Sequence, residues 1–327
     1  MSRLSRRTLL AMTLPAAAAA TMARADDADN YPAHQVSFIV PFAPGGSTDI
    51  LARMLGQKLE TSLGKPFAVE NRPGSGTVIA TNFIAKSPPD GYTIMMAVSS
   101  LAIDATLYKK LPYDPVKDLA LVALVATVPF VLVVSPSLPV QNVDDLIKLA
   151  QTRPLSYGSG GIGAFHHLAG ALFASMAGIK ATHVPYHGTA PALTDLIAGY
   201  VQFMFSDLAP ALPLIKAGKI RALAVTTKQR FKTMPDIPPL DEAGVSGFDL
   251  AAWQGVITPG GTPKAVLTKL NSAFNAVVAM NDVRSQMTDL GLNPVGKGSP
   301  DELQRFLESE IARWGKVVEA AGIAGTE

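Results

Sequence analysis

The sequence predicts an α/β protein of two lobes, with mainly parallel sheets flanked by helices. β-rich apolar runs alternate with segments of helical spacing, and loops of small residues separate them. This alternation restarts in the second half of the chain. The 327 residues, of which 48% are hydrophobic, suffice for two domains of ordinary size.

The first strand and helix set the pattern for the rest of the chain. A β-rich run at 35–42 leads into a loop of small residues, after which apolar residues from Ile50 to Leu63 recur at spacings of three and four. This spacing predicts a helix, and Gly64 is expected to end it. Further strands are predicted at 67–70, 92–98, 130–134, 155–158, 182–186, 201–205, 220–226 and 253–257.

The chain is expected to cross between the lobes twice, near 128–134 and near 251–257. The first domain is then discontinuous, comprising 26–127 and 251–327, and the second domain comprises 128–250. Two such crossings side by side form a hinge.

The first 25 residues have the features of a secretory signal peptide. Arg3, Arg6 and Arg7 precede an apolar run, and Ala23-Arg24-Ala25 offers a cleavage site after Ala25. The run is shorter than the roughly 20 residues of a spanning helix, and Pro15 interrupts it. The adjacent arginines also resemble a twin-arginine signal, so the export route stays open.

Loss of that segment would reverse the charge balance of the chain. All of its charged residues are arginines, and their removal leaves 24 basic against 26 acidic residues. No basic run remains that would neutralise several phosphates, so nucleic acid is not an expected partner. The chain has no cysteine, so its stability must come from its hydrophobic core rather than from disulfides.

Four loops of small residues, at 43–49, 99–104, 159–163 and 188–192, follow predicted strands and form the candidate site. Ligands of open α/β sheets lie beyond the carboxyl ends of the strands. Each loop opens a helix whose first N–H groups are unpaired, and several such ends at one cleft suit an anion. For a single loop, a tight turn with a helix cap is the alternative. The candidate ligand-binding residues are Pro44, Gly45, Gly46, Ser47, Thr48, Ser99, Ser100, Ser159, Gly160, Gly161, Gly163, His166, Thr189, Ala190 and Asp207.

Three of the ionisable residues near these loops have alternative roles. His166 is a candidate donor to the ligand, with placement in the core or on the surface as the alternative. Asp207 is expected to hold a polar group of the ligand or to cap the turn before Pro210. Asp49 is expected to cap its helix, because a carboxylate would repel an anionic ligand.

A rival hypothesis, an exported dinucleotide-dependent oxidoreductase, comes from the loop Gly158–Gly163, which matches G-x-G-x-x-G. The acidic residue expected about 20 positions later is missing, because 182–187 reads Thr-His-Val-Pro-Tyr-His. The histidines fit no standard metal spacing, and neither HExxH nor G-x-S-x-G occurs. We therefore predict no catalytic residue, no cofactor and no metal.

Six segments together resemble the solute-binding proteins of tripartite tricarboxylate transporters, also called Bug receptors. These segments are 39–49, 70–74, 89–93, 157–161, 183–188 and 190–192. The resemblance implies a two-lobed periplasmic binding fold, similar to type II, that closes by hinge motion around a small carboxylate. It also implies contacts from the first loop and from the loop Ser159–His166, and delivery of the ligand to a membrane permease.

The resemblance leaves the ligand open, since such proteins take di- and tricarboxylates, amino acids, nicotinate and aromatic acids. The chain departs from the family pattern at Thr77, where glycine is common, and at Asp104, where asparagine is usual. An acid at 104 would alter which ligand charge is tolerated. We expect a monomer in the periplasm, and a ligand-sensing adaptor of a signalling system stays open as an alternative to transport.

Overall fold

The structure is a computed structural model that describes residues 30–74, 76–231 and 233–327. The predicted signal peptide lies outside the described residues. In chain order, the elements are β1 (Val36–Val40), α1 (Ser47–Leu63), β2 (Phe67–Asn71), α2 (Val78–Ala85), β3 (Thr93–Val98), α3 (Ser100–Leu107), β4 (Leu119–Val128), β5 (Phe130–Val134), α4 (Val143–Thr152), β6 (Leu155–Ser159), α5 (Phe165–Met176), β7 (Ala181–Pro185), α6 (Thr189–Ala198), β8 (Phe203–Asp207), α7 (Leu208–Lys216), β9 (Arg221–Val225), β10 (Ala252–Pro259), α8 (Lys264–Ala279), α9 (Asn281–Asp289), β11 (Asn293–Pro294) and α10 (Pro300–Ala320).

The strands form two mixed sheets. The first has the order β11-β4-β10-β3-β1-β2 and the second has the order β7-β6-β8-β5-β9. β1 is parallel to β2 and β3, and β6 is parallel to β7 and β8. β10 is antiparallel to β3 and β4, and β5 is antiparallel to β8 and β9. The prediction of a two-lobed α/β fold is confirmed. The sheets were expected to be mainly parallel and are mixed, because β5 and β10 run antiparallel to their neighbours.

The described chain passes between the two sheets twice. β4 of the first sheet ends at Val128 and β5 of the second begins at Phe130, so Pro129 alone separates them. The return runs from Val225 to Ala252, and near its start the Thr226 hydroxyl accepts a hydrogen bond from the Phe130 amide at 3.1 Å. The domain division at 127/128 and 250/251 stays a prediction.

The helix ends follow local sequence rules. α1 ends at Gly64, whose φ of 70° lets its amide donate to the Glu60 carbonyl. α10 begins with a capping box, in which Ser299 and Glu302 each bind the other's backbone amide. α10 also reaches the second lobe, where the Trp314 ring lies 5.8 Å from that of Phe165. Within the described ranges, no helix is both long and apolar enough to cross a membrane.

Candidate ligand-binding site

A cavity lies between the two sheets, beyond the ends of β1, β3, β6 and β8. Eight of the predicted site residues line it: Gly46, Ser47, Thr48, Ser99, Ser100, His166, Thr189 and Asp207. The other predicted residues do not line the cavity: Pro44, Gly45, Ser159, Gly160, Gly161, Gly163 and Ala190. The N-termini of α1, α3, α5 and α6 meet here, and Asp207 lies at the N-cap of α7.

The turn before α1 is held by Asp49. Its carboxylate accepts hydrogen bonds from the Gly45 amide at 3.1 Å, from Arg53 Nε at 3.1 Å and from Asn71 Nδ2 at 2.9 Å. Burial alone would raise the pKa of Asp49, but these donors and the Arg53 charge lower it overall. Asp49 therefore holds the turn that precedes α1, while its role as a helix cap stays a prediction, since the N-cap residue Gly46 has no side-chain cap hydrogen bond.

Asp207 joins the two lobes across the cavity. Its Oδ2 accepts a hydrogen bond from the Ser47 amide of the first lobe at 2.9 Å. In the second lobe, Thr189 Oγ1 donates to Oδ1 at 2.7 Å and His166 Nε2 lies 3.3 Å from the same oxygen. Burial alone would raise the pKa of Asp207, but His166, Ser47 and Thr189 lower it to about 2. Asp207 is thus an ionised group that already binds the first amide of α1.

Gln254, on the strand β10, is a site residue that the sequence did not reveal. Its Nε2 donates to Ser47 Oγ at 3.1 Å and to Thr48 Oγ1 at 3.2 Å. Its Oε1 is buried without a hydrogen-bond partner among the described residues. One signal was present, a polar residue inside the apolar run from Ala252 to Ile257.

The glycine loop Gly158–Gly163 packs behind the site and does not line the cavity. Ser159 Oγ lies 2.6 Å from His183 Nε2, and the His183 ring stacks on His167 with centroids 3.9 Å apart. Burial lowers the pKa of His167 to about 4. Burial, together with repulsion from His167 and His166, lowers the pKa of His183 to about 3. This pair is therefore neutral near pH 7. In the described residues, no group of three or more histidines or acids could hold a metal.

The cleft between the lobes is closed in this structure. The Ala43 amide donates to the His187 carbonyl across it at 2.7 Å. Two glycines make the closest approaches: a side chain at Gly76 would overlap the Ile162 carbonyl oxygen, and one at Gly163 would overlap Asp104 Oδ1. Glycine is required at both positions, because each also has a positive φ, 64° and 75°.

Aromatic rings form much of the cavity wall. Phe130 stacks on Phe165 with centroids 4.1 Å apart and meets the His166 ring edge-on at 5.1 Å. Phe42 and Trp253 also line the cavity. The site therefore combines polar helix ends with an apolar wall, as small-molecule sites usually do.

This fold and site define a class, the two-lobed solute-binding proteins that close over a small ligand. Residues 51–323 match the family described as the tripartite tricarboxylate transporter family receptor. The chain belongs to this family of periplasmic binding proteins, whose members are receptors and not enzymes. The rival oxidoreductase hypothesis is therefore wrong, and the Gly158–Gly163 loop packs instead against Gly76 of the first lobe.

Curated relatives support the same assignment. The chain is 38% identical over 316 residues to a protein of the tcbD-tcbE intergenic region of Pseudomonas sp. strain P51, covering 96% of this chain and 93% of that one. It is 37% identical over 309 residues to Protein BugT of Bordetella pertussis, covering 93% and 94% of the two chains.

Solved structures share the whole fold. An R. palustris protein solved with adipate is 41% identical with a TM-score of 0.86, over 90% of this chain and 99% of that one. The periplasmic binding protein BugD is 33% identical with a TM-score of 0.86, over the same shares. MatC of Rhodopseudomonas palustris, with bound malate, is 32% identical with a TM-score of 0.84, over 88% and 100%.

Proposed function

We propose that this protein captures a small carboxylate in the cavity between its lobes and delivers it to the membrane permease of a tripartite tricarboxylate-type transporter. The observation that carries the proposal is the meeting of the α1, α3, α5 and α6 N-termini at one cavity. Helix N-termini bind anions through their unpaired N–H groups and their dipoles. Relatives solved with adipate and malate support a carboxylate as the ligand class.

Neutral donors are expected to hold the carboxylate. Among the described residues that line the cavity there is no lysine or arginine. Ser100 Oγ and Trp253 Nε1 are buried donors without a partner in the described part of the chain, so they are the donors with hydrogen-bonding capacity to spare. Since Asp207 is already bound by Ser47, Thr189 and His166, its role is to fix the lobes and the donors rather than to hold a cationic ligand group.

The same proposal covers where the protein works and how it moves. We infer export with cleavage near Ala25, a monomer, and a hinge between domains 26–127 plus 251–327 and 128–250. The link at Pro129 and the return between Val225 and Ala252 support this hinge, because the described chain passes from one sheet to the other at these two places. The predicted site residues that do not line the cavity are proposed to support the residues that do: Pro44, Gly45, Ser159, Gly160, Gly161, Gly163 and Ala190.

Thermal denaturation of the mature protein with a panel of carboxylates tests the proposal. Adipate and L-malate head the panel, followed by monocarboxylates, tricarboxylates and aromatic acids. A ligand that binds only the folded state raises the melting temperature, by an amount that grows with its concentration over its Kd. If no carboxylate in the panel raises it, the proposed function is wrong.

Replacing Ser100 by alanine is expected to weaken carboxylate binding without destabilising the ligand-free protein. The Ser100 hydroxyl has no partner among the described residues, so its loss breaks no internal bond, whereas a hydrogen bond to a charged group contributes about 1.5–3 kcal/mol. The expected loss of affinity is about 10- to 150-fold in a calorimetric titration. Ser309→Ala on the exposed side of α10 is the control and should bind as the wild type does. Equal affinity of the two variants would contradict a role for Ser100.

A further inference from the structure

Asp104, on α3 of the first lobe, is a fully buried carboxyl group outside the cavity. Its exposed fraction is 0%. Thr77 Oγ1 donates to its Oδ2 at 3.3 Å, while its Oδ1 has no hydrogen-bond partner among the described residues. The two residues where the chain departs from the family pattern are therefore in contact with each other.

The second lobe provides part of the cover over this carboxyl group. Gly163 lies so close to Oδ1 that a side chain at this position would overlap it, and Gly163 also approaches Leu107 of α3. In the same loop, Gly161 packs against Gly76, beside Thr77. These contacts exist only while the lobes are together, so opening the cleft would let water reach Oδ1.

Among the described residues, no basic group lowers the pKa of Asp104 by its charge. Tyr108 and Tyr113 lie near it, and burial together with the Asp104 charge raises the pKa of both phenols. From the second lobe, His167 accepts the Gly163 amide at 3.3 Å and is neutral near pH 7, because burial lowers its pKa to about 4.

The elements that pack on the outer side of α3 bring acidic groups, and Arg313 among them is paired. On α10, Glu310 binds Arg313 at 3.1 Å and Trp314 Nε1 at 2.7 Å. The chain end brings Glu327, whose backbone bonds to Leu107 and Lys109. Burial therefore raises the pKa of Asp104 well above its usual range, and the hydrogen bond from Thr77 offsets only part of this effect.

We propose that closure of the cleft takes up one proton from solvent at Asp104, so that the protein captures its carboxylate together with a proton and binds it less tightly as the pH rises. This inference rests on the proposed function, since it needs a cleft that closes on a ligand. In the closed state the neutral carboxyl group fits between Thr77 and Gly163. In the open state the same group meets water and ionises as an ordinary aspartate does.

The sign of the pH dependence follows from proton linkage. Below the open-state pKa, about 3.9 for an unperturbed aspartate, the carboxyl is protonated in both states and closure takes up no proton. Between that value and the raised closed-state pKa, closure takes up one proton, and Kd rises about tenfold for each pH unit. Above the raised pKa the affinity levels off at its weakest value.

Calorimetric titrations between pH 5 and pH 8 test this inference on the wild type, on Asp104→Asn and on Asp289→Asn, an exposed control on α9. The probes are adipate, L-malate and the panel acid that gives the largest thermal shift. The wild type and Asp289→Asn should lose affinity by about tenfold per pH unit in the linked window. Asp104→Asn, which has the same shape without a charge, should show no such slope and should bind more tightly than the wild type at pH 8.

Repeating the wild-type titration in two buffers of different ionisation enthalpy counts the protons directly and does not depend on any variant. The expected result is close to one proton taken up per ligand bound. Binding without proton uptake, or equal pH slopes in the wild type and Asp104→Asn, would overturn the inference and leave the proposed function intact. Absence of binding by every acid at every pH would overturn both.

Discussion

Replacing Gly76 by alanine is expected to weaken carboxylate binding about 5- to 150-fold while the protein still folds. An alanine side chain at this position would overlap the Ile162 carbonyl oxygen of the other lobe, so the lobes could not close without a backbone shift. Forcing extra atoms into a packed contact costs about 1–3 kcal/mol, which corresponds to this range of affinities. Calorimetric titration with the best acid of the panel measures the effect.

Gly64→Ala is the matched control for this substitution. Gly64 has a φ of 70°, close to the 64° of Gly76, so both variants impose the same left-handed backbone on an alanine. At Gly64 an added side chain meets no atom within 4 Å. Both substitutions should therefore lower the melting temperature by a similar amount, and only Gly76→Ala should weaken carboxylate binding. Equal affinity in the two variants would show that binding does not need the closed contact.

Much of the fold could be predicted because its signals are local. The apolar spacing of α1, the glycine that ends it and the proline-flanked run of β5 all depend on residues close together in the chain. β4 was missed because its apolar run from Leu119 to Val128, unlike that of β5, is not flanked by proline on both sides and could equally form a buried helix. The segment 235–249 is rich in proline, glycine and acids, a composition typical of a surface connection, yet Leu240 and Phe248 are fully buried, which no local signal reveals.

The site could be predicted where a loop and its function share one stretch of chain. Eight of the candidate residues line the cavity because each lies at a strand end that opens a helix. Gln254 was missed because its partner Thr48 lies 206 positions away. Ser159 was predicted to bind the ligand, but its hydroxyl lies against His183 instead. Only the pairing of β6 with β7 brings His183 close, and the sequence does not show that pairing.

Asp207→Asn is expected to lower the free energy of unfolding by about 2–3 kcal/mol at pH 7. The carboxylate binds the Ser47 amide, the Thr189 hydroxyl and the His166 ring, and an amide cannot accept at both ends. A folded pKa of about 2, against about 3.9 in the unfolded chain, corresponds to stabilisation of this size. Urea denaturation followed by tryptophan fluorescence measures the difference.

The pH dependence of this difference separates the charge of Asp207 from the shape of its side chain. Because the folded pKa is the lower one, the stabilisation is fully present above about pH 4 and is lost as the pH falls towards about 2. The wild type should therefore approach the variant in stability over that interval. Asp195→Asn is the control, since the half-buried Asp195 accepts from the neutral Tyr186 hydroxyl at 2.6 Å and should cost about 1 kcal/mol or less. A gap between the wild type and Asp207→Asn that stays constant from pH 6 to pH 2.5 would mean that ionisation of Asp207 contributes nothing to joining the lobes.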